Sequence, residues 1–119
     1  MRSHEKLEVW QRAVDFVVMV YRHTEGFPSD ERFGLVSQLR RAAVSIPANI
    51  AEGAARTYPK ETLRFISMAQ GSASEVSTEL LISKKLGFLS ESSMKELDSE
   101  CEEIGRMMSG WANYQRSKL

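Results

Sequence analysis

One cysteine, three prolines and two histidines are all that this chain of 119 residues holds of the three types. The lone Cys101 excludes a disulfide within the chain, and its position on an apolar helical stripe marks it as a small buried hydrophobe. Di-iron centres in helical bundles need Glu-x-x-His pairs on two helices, and neither His4 nor His23 has a glutamate three residues before it. The Gly-x-Ser-x-Gly elbow of hydrolases and the phosphate-loop pattern are both missing. These absences point to a chain that is not an enzyme and carries neither metal nor cofactor.

Charge of one sign is lacking too, since sixteen basic side chains balance sixteen acidic ones. A domain that lives on nucleic acid is usually strongly basic, so the balance weighs against that role. Long apolar runs do not occur. The longest, residues 16–21, falls far short of the roughly 20 residues that cross a bilayer, and the opening MRSHEKLEVW has no continuous apolar segment of a secretory signal. A cytoplasmic protein of one domain, residues 1–119, is expected.

What is present is helical periodicity. Leu7, Trp10, Val14 and Tyr21 mark a first helix over about residues 5–24, and the stretch VDFVVMVY within it carries Asp15 as its only charge. A helix apolar nearly all round is buried on more than one side, whereas a small bundle offers a single core. Phe16, Met19 and Val20, with Trp10, are therefore expected to meet a second copy of the chain. A strand is the competing reading of so much valine, but nothing else in the chain would pair with it.

A second helix, about residues 34–55, has Leu35, Leu39, Ala43, Ile46 and Ile50 on one side and Pro47 within the stripe. Proline lacks an N–H and clashes with the carbonyl four residues back, so a break or kink costing about 3 kcal/mol is expected unless packing offsets it. Asn49 stands ready to hold the carbonyl that Pro47 frees at Ala43. Ser29 is placed to cap a short turn before this helix. Tyr58 and Pro59 close a tight joint, with Pro59 suited to the first position of a third helix, about residues 59–86. That helix repeats Ile66, Ala69, Ala73, Val76 and Leu80, and the small residues 71–74 thin its centre for a close neighbour. Gly87 suits a left-handed stop, and Ser90 caps a fourth helix carrying Met94, Leu97, Cys101, Ile104, Met108 and Trp111. Four long helices with short joints make an all-α, antiparallel up-down-up-down bundle with a proline-kinked second helix. Trp10 and Trp111 read as core anchors or, alternatively, as interface anchors.

The charges, balanced overall, are unevenly placed. Residues 34–65 carry a net +3 and residues 87–104 a net −5. Gln38, Arg41, Ser45, Asn49, Glu52 and Arg56 recur at three- and four-residue steps as a polar ridge on the second helix. Arg40 flanks it, and Lys60 and Arg64 extend it onto the third. Arg40, Arg41, Arg56, Lys60 and Arg64 form a candidate surface for the phosphates of RNA or DNA. The alternatives are structural: a Glu52–Arg56 surface pair, or Arg41 pairing with acids of the fourth helix across a subunit boundary. Glu75 and Glu79 share one face of the third helix, where carboxylates are ordinarily solvated or paired.

The stretch FGLVSQLRRAAVSIPANIAEG at residues 33–53 resembles, with LEVWQRA at residues 7–13 and GSASEVSTELLISKKLGFLS at residues 71–90, the intervening-sequence proteins of bacterial 23S ribosomal RNA genes. The resemblance spans nearly the whole chain. It implies an up-and-down four-helix bundle assembled into a homopentamer, similar in fold to accessory proteins of diversity-generating retroelements, which bind nucleic acid. It implies no enzymatic activity. Two functions follow as expectations: an oligomeric accessory factor on structured RNA or DNA, or a protein-interaction scaffold that touches no nucleic acid.

Overall fold

Leu7 is extended (φ −84°, ψ 121°) and separates a 3-10 turn, Ser3–Lys6, from the first helix, α1, Glu8–Thr24. The helix thus begins three residues later than its periodicity suggests. Glu5 turns back instead, its carboxylate accepting from the N–H of Arg2 at 3.3 Å and its carbonyl from the side-chain amide of Gln11 at 2.8 Å. The computed structural model describes residues 1–119. After α1 come α2, Leu35–Ala54, α3, Pro59–Lys85, and α4, Glu91–Ser117.

Local chemistry explains most of the ends. Ser90 accepts from the N–H of Ser93 at 3.1 Å and caps α4, and Pro59 opens α3 after an extended Tyr58. Gly87 has φ +82°, the N–H of Phe88 reaches the carbonyl of Ser83 at 2.9 Å and that of Gly87 reaches Lys84 at 3.0 Å. This is the left-handed stop that only glycine makes without strain. Ser29 caps nothing. It opens a 3-10 turn, Ser29–Glu31, and Glu31 takes the capping part, its carboxylate accepting from the N–H of Leu35 at 3.2 Å.

Pro47 lies inside α2 without breaking it, because Pro47 is itself buried between Ile46 and Ile50, neither of which retains exposed surface. Packing along this buried stripe offsets the lost hydrogen bond. Asn49 does not reach Ala43. It donates to the carbonyl of Ser45 at 2.9 Å and to its hydroxyl at 3.0 Å.

Each helix packs chiefly against the two beside it, α1 on α2 and α4, α3 on α2 and α4. The result is an antiparallel four-helix bundle measuring 46 × 21 × 21 Å. One contiguous cluster of 23 buried residues fills it, with Phe16, Leu39, Ile66, Leu97 and Met108 wholly enclosed. The closest joint is between α2 and α3. A Cβ at Gly53 would stand 3.0 Å from that of Phe65, and the hydroxyls of Ser45 and Ser72 lie 2.8 Å apart. Gly71 plays no such part, since nothing lies within 4 Å of its missing Cβ and it faces outward.

A candidate nucleic-acid interface

The antiparallel course brings the start of the chain, the α2–α3 joint and the end of α4 to one end of the bundle. There Ser3, Arg56, Thr57, Gln115 and Lys118 line a recess of about 240 Å³ floored by Gly53 and Trp111. A neighbouring hollow is bordered by Arg2, His4, Glu52 and Arg56. Lys60, the second residue of α3, is exposed at the same end. Arg2 and Lys118 were invisible to a periodicity argument, because they lie at opposite termini and only topology unites them.

The structure does not bring the five cations expected from sequence to one place. Arg40 is withdrawn: its Nε donates to the Thr24 hydroxyl at 3.0 Å, an Nη donates to the Tyr21 carbonyl at 3.3 Å, and the guanidinium lies 4.4 Å from the centre of the Tyr21 ring. It neutralises the negative end of α1 instead of facing a ligand. Arg41 is exposed but fifteen positions before Arg56, about 22 Å along the helix axis at 1.5 Å per residue. Arg56 is exposed and is not paired with the Glu52 carboxylate. Its Nε donates to the Glu52 carbonyl at 3.1 Å and its guanidinium lies 5.3 Å from the Phe65 ring centre, which orients it at the recess. Arg64 is exposed in the second turn of α3.

Three acids of α4 pair with α1 of the same chain. Arg12 grips Glu100 with two parallel hydrogen bonds of 3.0 and 2.9 Å and reaches Glu103 at 3.7 Å. Glu103 also pairs with Arg106, and His23 lies 3.5 Å from Glu96. The hydrogen bond from Arg106, with Arg12 nearby, holds Glu103 below the usual carboxylate range. Glu91 pairs with Lys84 of α3, and Asp98 and Glu102 have no ion pair within the chain.

The residues expected at an interface between copies also divide. Phe16 and Val20 are wholly enclosed by the chain's own core and cannot meet a second copy; Met19 and Trp10 are half-buried against that core. Phe16 and Val20 lie one turn apart in line with Val9 and Ala13, and composition alone does not say which side of an apolar helix turns inward. The exposed apolar surface of α1 lies at Val18 and Tyr21, 42% and 41% exposed, and α2 adds Val44 at 43%.

Two further groups complete the inventory. Cys101 is buried, donates weakly to the Ala73 carbonyl at 3.6 Å, and burial pushes its thiol up to about 11. Glu79 is neither solvated nor paired: it is 6% exposed, its Oε1 has no hydrogen-bond partner, and burial, reinforced by Glu75, raises it to about 7. Its heptad steps from Phe65 and Ser72, both turned toward α2, were the overlooked signal. No group of three or more histidine, cysteine or acidic side chains is arranged around a common point. No helix is long and apolar enough to cross a membrane.

A four-helix bundle with a basic end is the class of protein that the fold defines. The family model described as 23S rRNA-intervening sequence protein matches residues 5–110, and the chain belongs to that family. Among solved structures, a protein of unknown function from the S23 ribosomal protein family of Bacteroides thetaiotaomicron is similar, with a TM-score of 0.80 and 18% identity over 87% of this chain and 97% of the other. At that identity the likeness speaks for the fold alone. A comparison with curated proteins found no match.

Proposed function

We propose that this chain is a non-catalytic, self-associating accessory protein that holds the phosphates of structured RNA or DNA at its basic end. The observation that carries the reading is the convergence of Arg2, Arg56 and Lys118, from three separate parts of the chain, around adjoining recesses, with Lys60 beside them. Arginine forks and lysines at such spacing suit phosphate oxygens, and hydroxyls of Ser3 and Thr57 add neutral donors. Repetition of this end in an oligomer multiplies a weak attachment, which offsets the neutral charge of one chain. Five copies is the number that the family likeness suggests.

Binding of labelled structured RNA and duplex DNA at two salt concentrations tests the reading. Four phosphate contacts cost on the order of a hundredfold in affinity between about 50 and 200 mM salt. Absence of binding at the lower salt removes the nucleic-acid role. The scaffold reading, in which copies associate to recruit other proteins, then stands in its place, favoured by the withdrawal of Arg40 from the ridge.

A further inference from the structure

Gln115 occupies a position on α4 where packing alone favours a hydrocarbon. It continues the inward repeat of Leu97, Cys101, Ile104, Met108 and Trp111 by one further step of four, and only 8% of it is exposed. A buried amide without a partner is costly, and the side chain of Gln115 makes no hydrogen bond within the chain. The one side-chain polar atom cut off from both partner and solvent is Oε1 of Glu79, so the Gln115 amide keeps contact with open space. The space it borders is the 240 Å³ recess at the basic end.

The surroundings of this amide agree on one kind of ligand. Trp111, Gln115 and Lys118 follow at steps of four and three, which lines up an indole, an amide and an ammonium group along one face of α4. Arg56 joins them, Thr57 and Pro59 bring the positive end of α3, and no carboxylate side chain lines the recess. A flat polar ring carrying an anionic group answers all of these: the ring lies against the indole, its donor and acceptor edge meets the amide, and a phosphate meets Arg56 and Lys118. The volume holds a single base, since sites for larger organic ligands begin at about 300 Å³. A base inside a duplex hides its faces and its pairing edge, so only an unpaired one enters.

We propose that this recess takes one unpaired nucleotide of an RNA or DNA strand, its base between Trp111 and Gln115 and its phosphate on Arg56 and Lys118. The inference rests on the phosphate-binding reading put forward above and adds to it a preference for bulges, loops and strand ends over continuous duplex. A side-chain amide offers a donor and an acceptor and turns to present them in either order, so the recess separates unpaired from paired bases without choosing strongly among the four. Arg2 and Lys60, at the same end but outside the recess, are left for flanking phosphates.

Three labelled hairpins, each made as RNA and as DNA, test the recess: a fully paired stem, the same stem with one bulged adenosine, and the same stem with an abasic residue in the bulge. The expected result is that the bulged adenosine is bound about tenfold more tightly than either of the others, as one stacked base warrants. Gln115→Leu, with circular dichroism to verify folding, is expected to bring the bulged hairpin down to the level of the paired one. Adenosine monophosphate should displace the bulged hairpin only in large excess, and displacement at equal concentration overturns the strand as the source of the nucleotide. Equal affinity for the adenosine and abasic bulges, or a preference that survives Gln115→Leu, overturns the recess while the phosphate reading stands. No binding of any hairpin at about 50 mM salt removes the phosphate reading, and the recess with it.

Discussion

Thr62 donates its hydroxyl to the carbonyl of Gly53 at 2.9 Å, across the buried joint where α2 and α3 come closest. The carbonyl lies in the last turn of α2, where it also accepts from the N–H of Arg56 at 3.2 Å, and Gly53 is the residue whose missing side chain admits Phe65. The same pair thus closes the hairpin and floors the recess that Arg56 and Lys118 border.

Gly53→Ala sets a methyl group 3.0 Å from the Phe65 Cβ and 3.4 Å from the Thr62 carbonyl, both close to the backbone and slow to yield. Overpacking of this kind costs about 1–3 kcal/mol. Thr62→Val keeps the shape and removes the donor, for about 1–2 kcal/mol. Urea unfolding followed by circular dichroism reads both losses, and Gly71→Ala, with open space around it, serves as the control that loses no stability.

Glu79 makes stability fall as pH rises. Its carboxyl has a folded value of about 7 against an ordinary 4.5, so between those values the folded chain holds a proton that the unfolded chain has released. Stability from this group is full below about pH 4.5 and lost as pH passes 7, by up to about 3 kcal/mol. The group facing it is Glu75, whose negative charge adds to the effect of burial. Glu79→Gln is expected to abolish that part of the pH dependence and to raise stability at pH 8. An unchanged pH profile of urea unfolding in Glu79→Gln contradicts the prediction.

Residues whose role is set by their immediate neighbours were legible in the sequence. Gly87, Ser90 and Pro59 end or begin helices by chemistry that spans at most six residues, and the spacing of Leu39, Ile46 and Ile50 suffices to place them inward. Roles set by distant partners were not. Arg40 and Arg41 are adjacent arginines that the sequence alone does not tell apart, and the approach of Tyr21, nineteen residues away, draws in Arg40 while Arg41 stays exposed. Likewise the apolar circumference of α1 announced a surplus, yet the neighbours that enclose Phe16 and leave Val18 bare come from other helices. The candidate site was half visible: Arg56 and Lys60 belong to a local basic run, whereas Arg2 and Lys118 join them only through topology.

Cys101 is expected to resist alkylation in the folded chain. The thiolate is the reactive form, and burial both blocks reagent and holds the thiol near 11, so little thiolate exists at pH 8. Iodoacetamide labelling followed by mass spectrometry should show negligible modification until urea unfolds the protein, after which the single thiol reacts. Rapid labelling without denaturant means that the α3–α4 joint opens.

Arg40 and Lys118 separate stability from binding. Arg40→Ala removes two hydrogen bonds and the stacking on Tyr21, which together tie the end of α1 to α2, and is expected to cost about 1–2 kcal/mol of stability. Its effect on nucleic-acid affinity should be nil, because no donor of Arg40 faces the basic end. Lys118→Ala and Arg56→Ala behave in the opposite way. Lys118 is exposed and its loss leaves the core intact, so stability holds while affinity falls and the slope of log K against log salt drops by about 0.9 per phosphate contact on duplex DNA. Titrations of the three variants across a salt series decide between the two surfaces. Loss of affinity in Arg40→Ala with no change in Lys118→Ala would return the interface to the helix ridge and remove it from the end of the bundle.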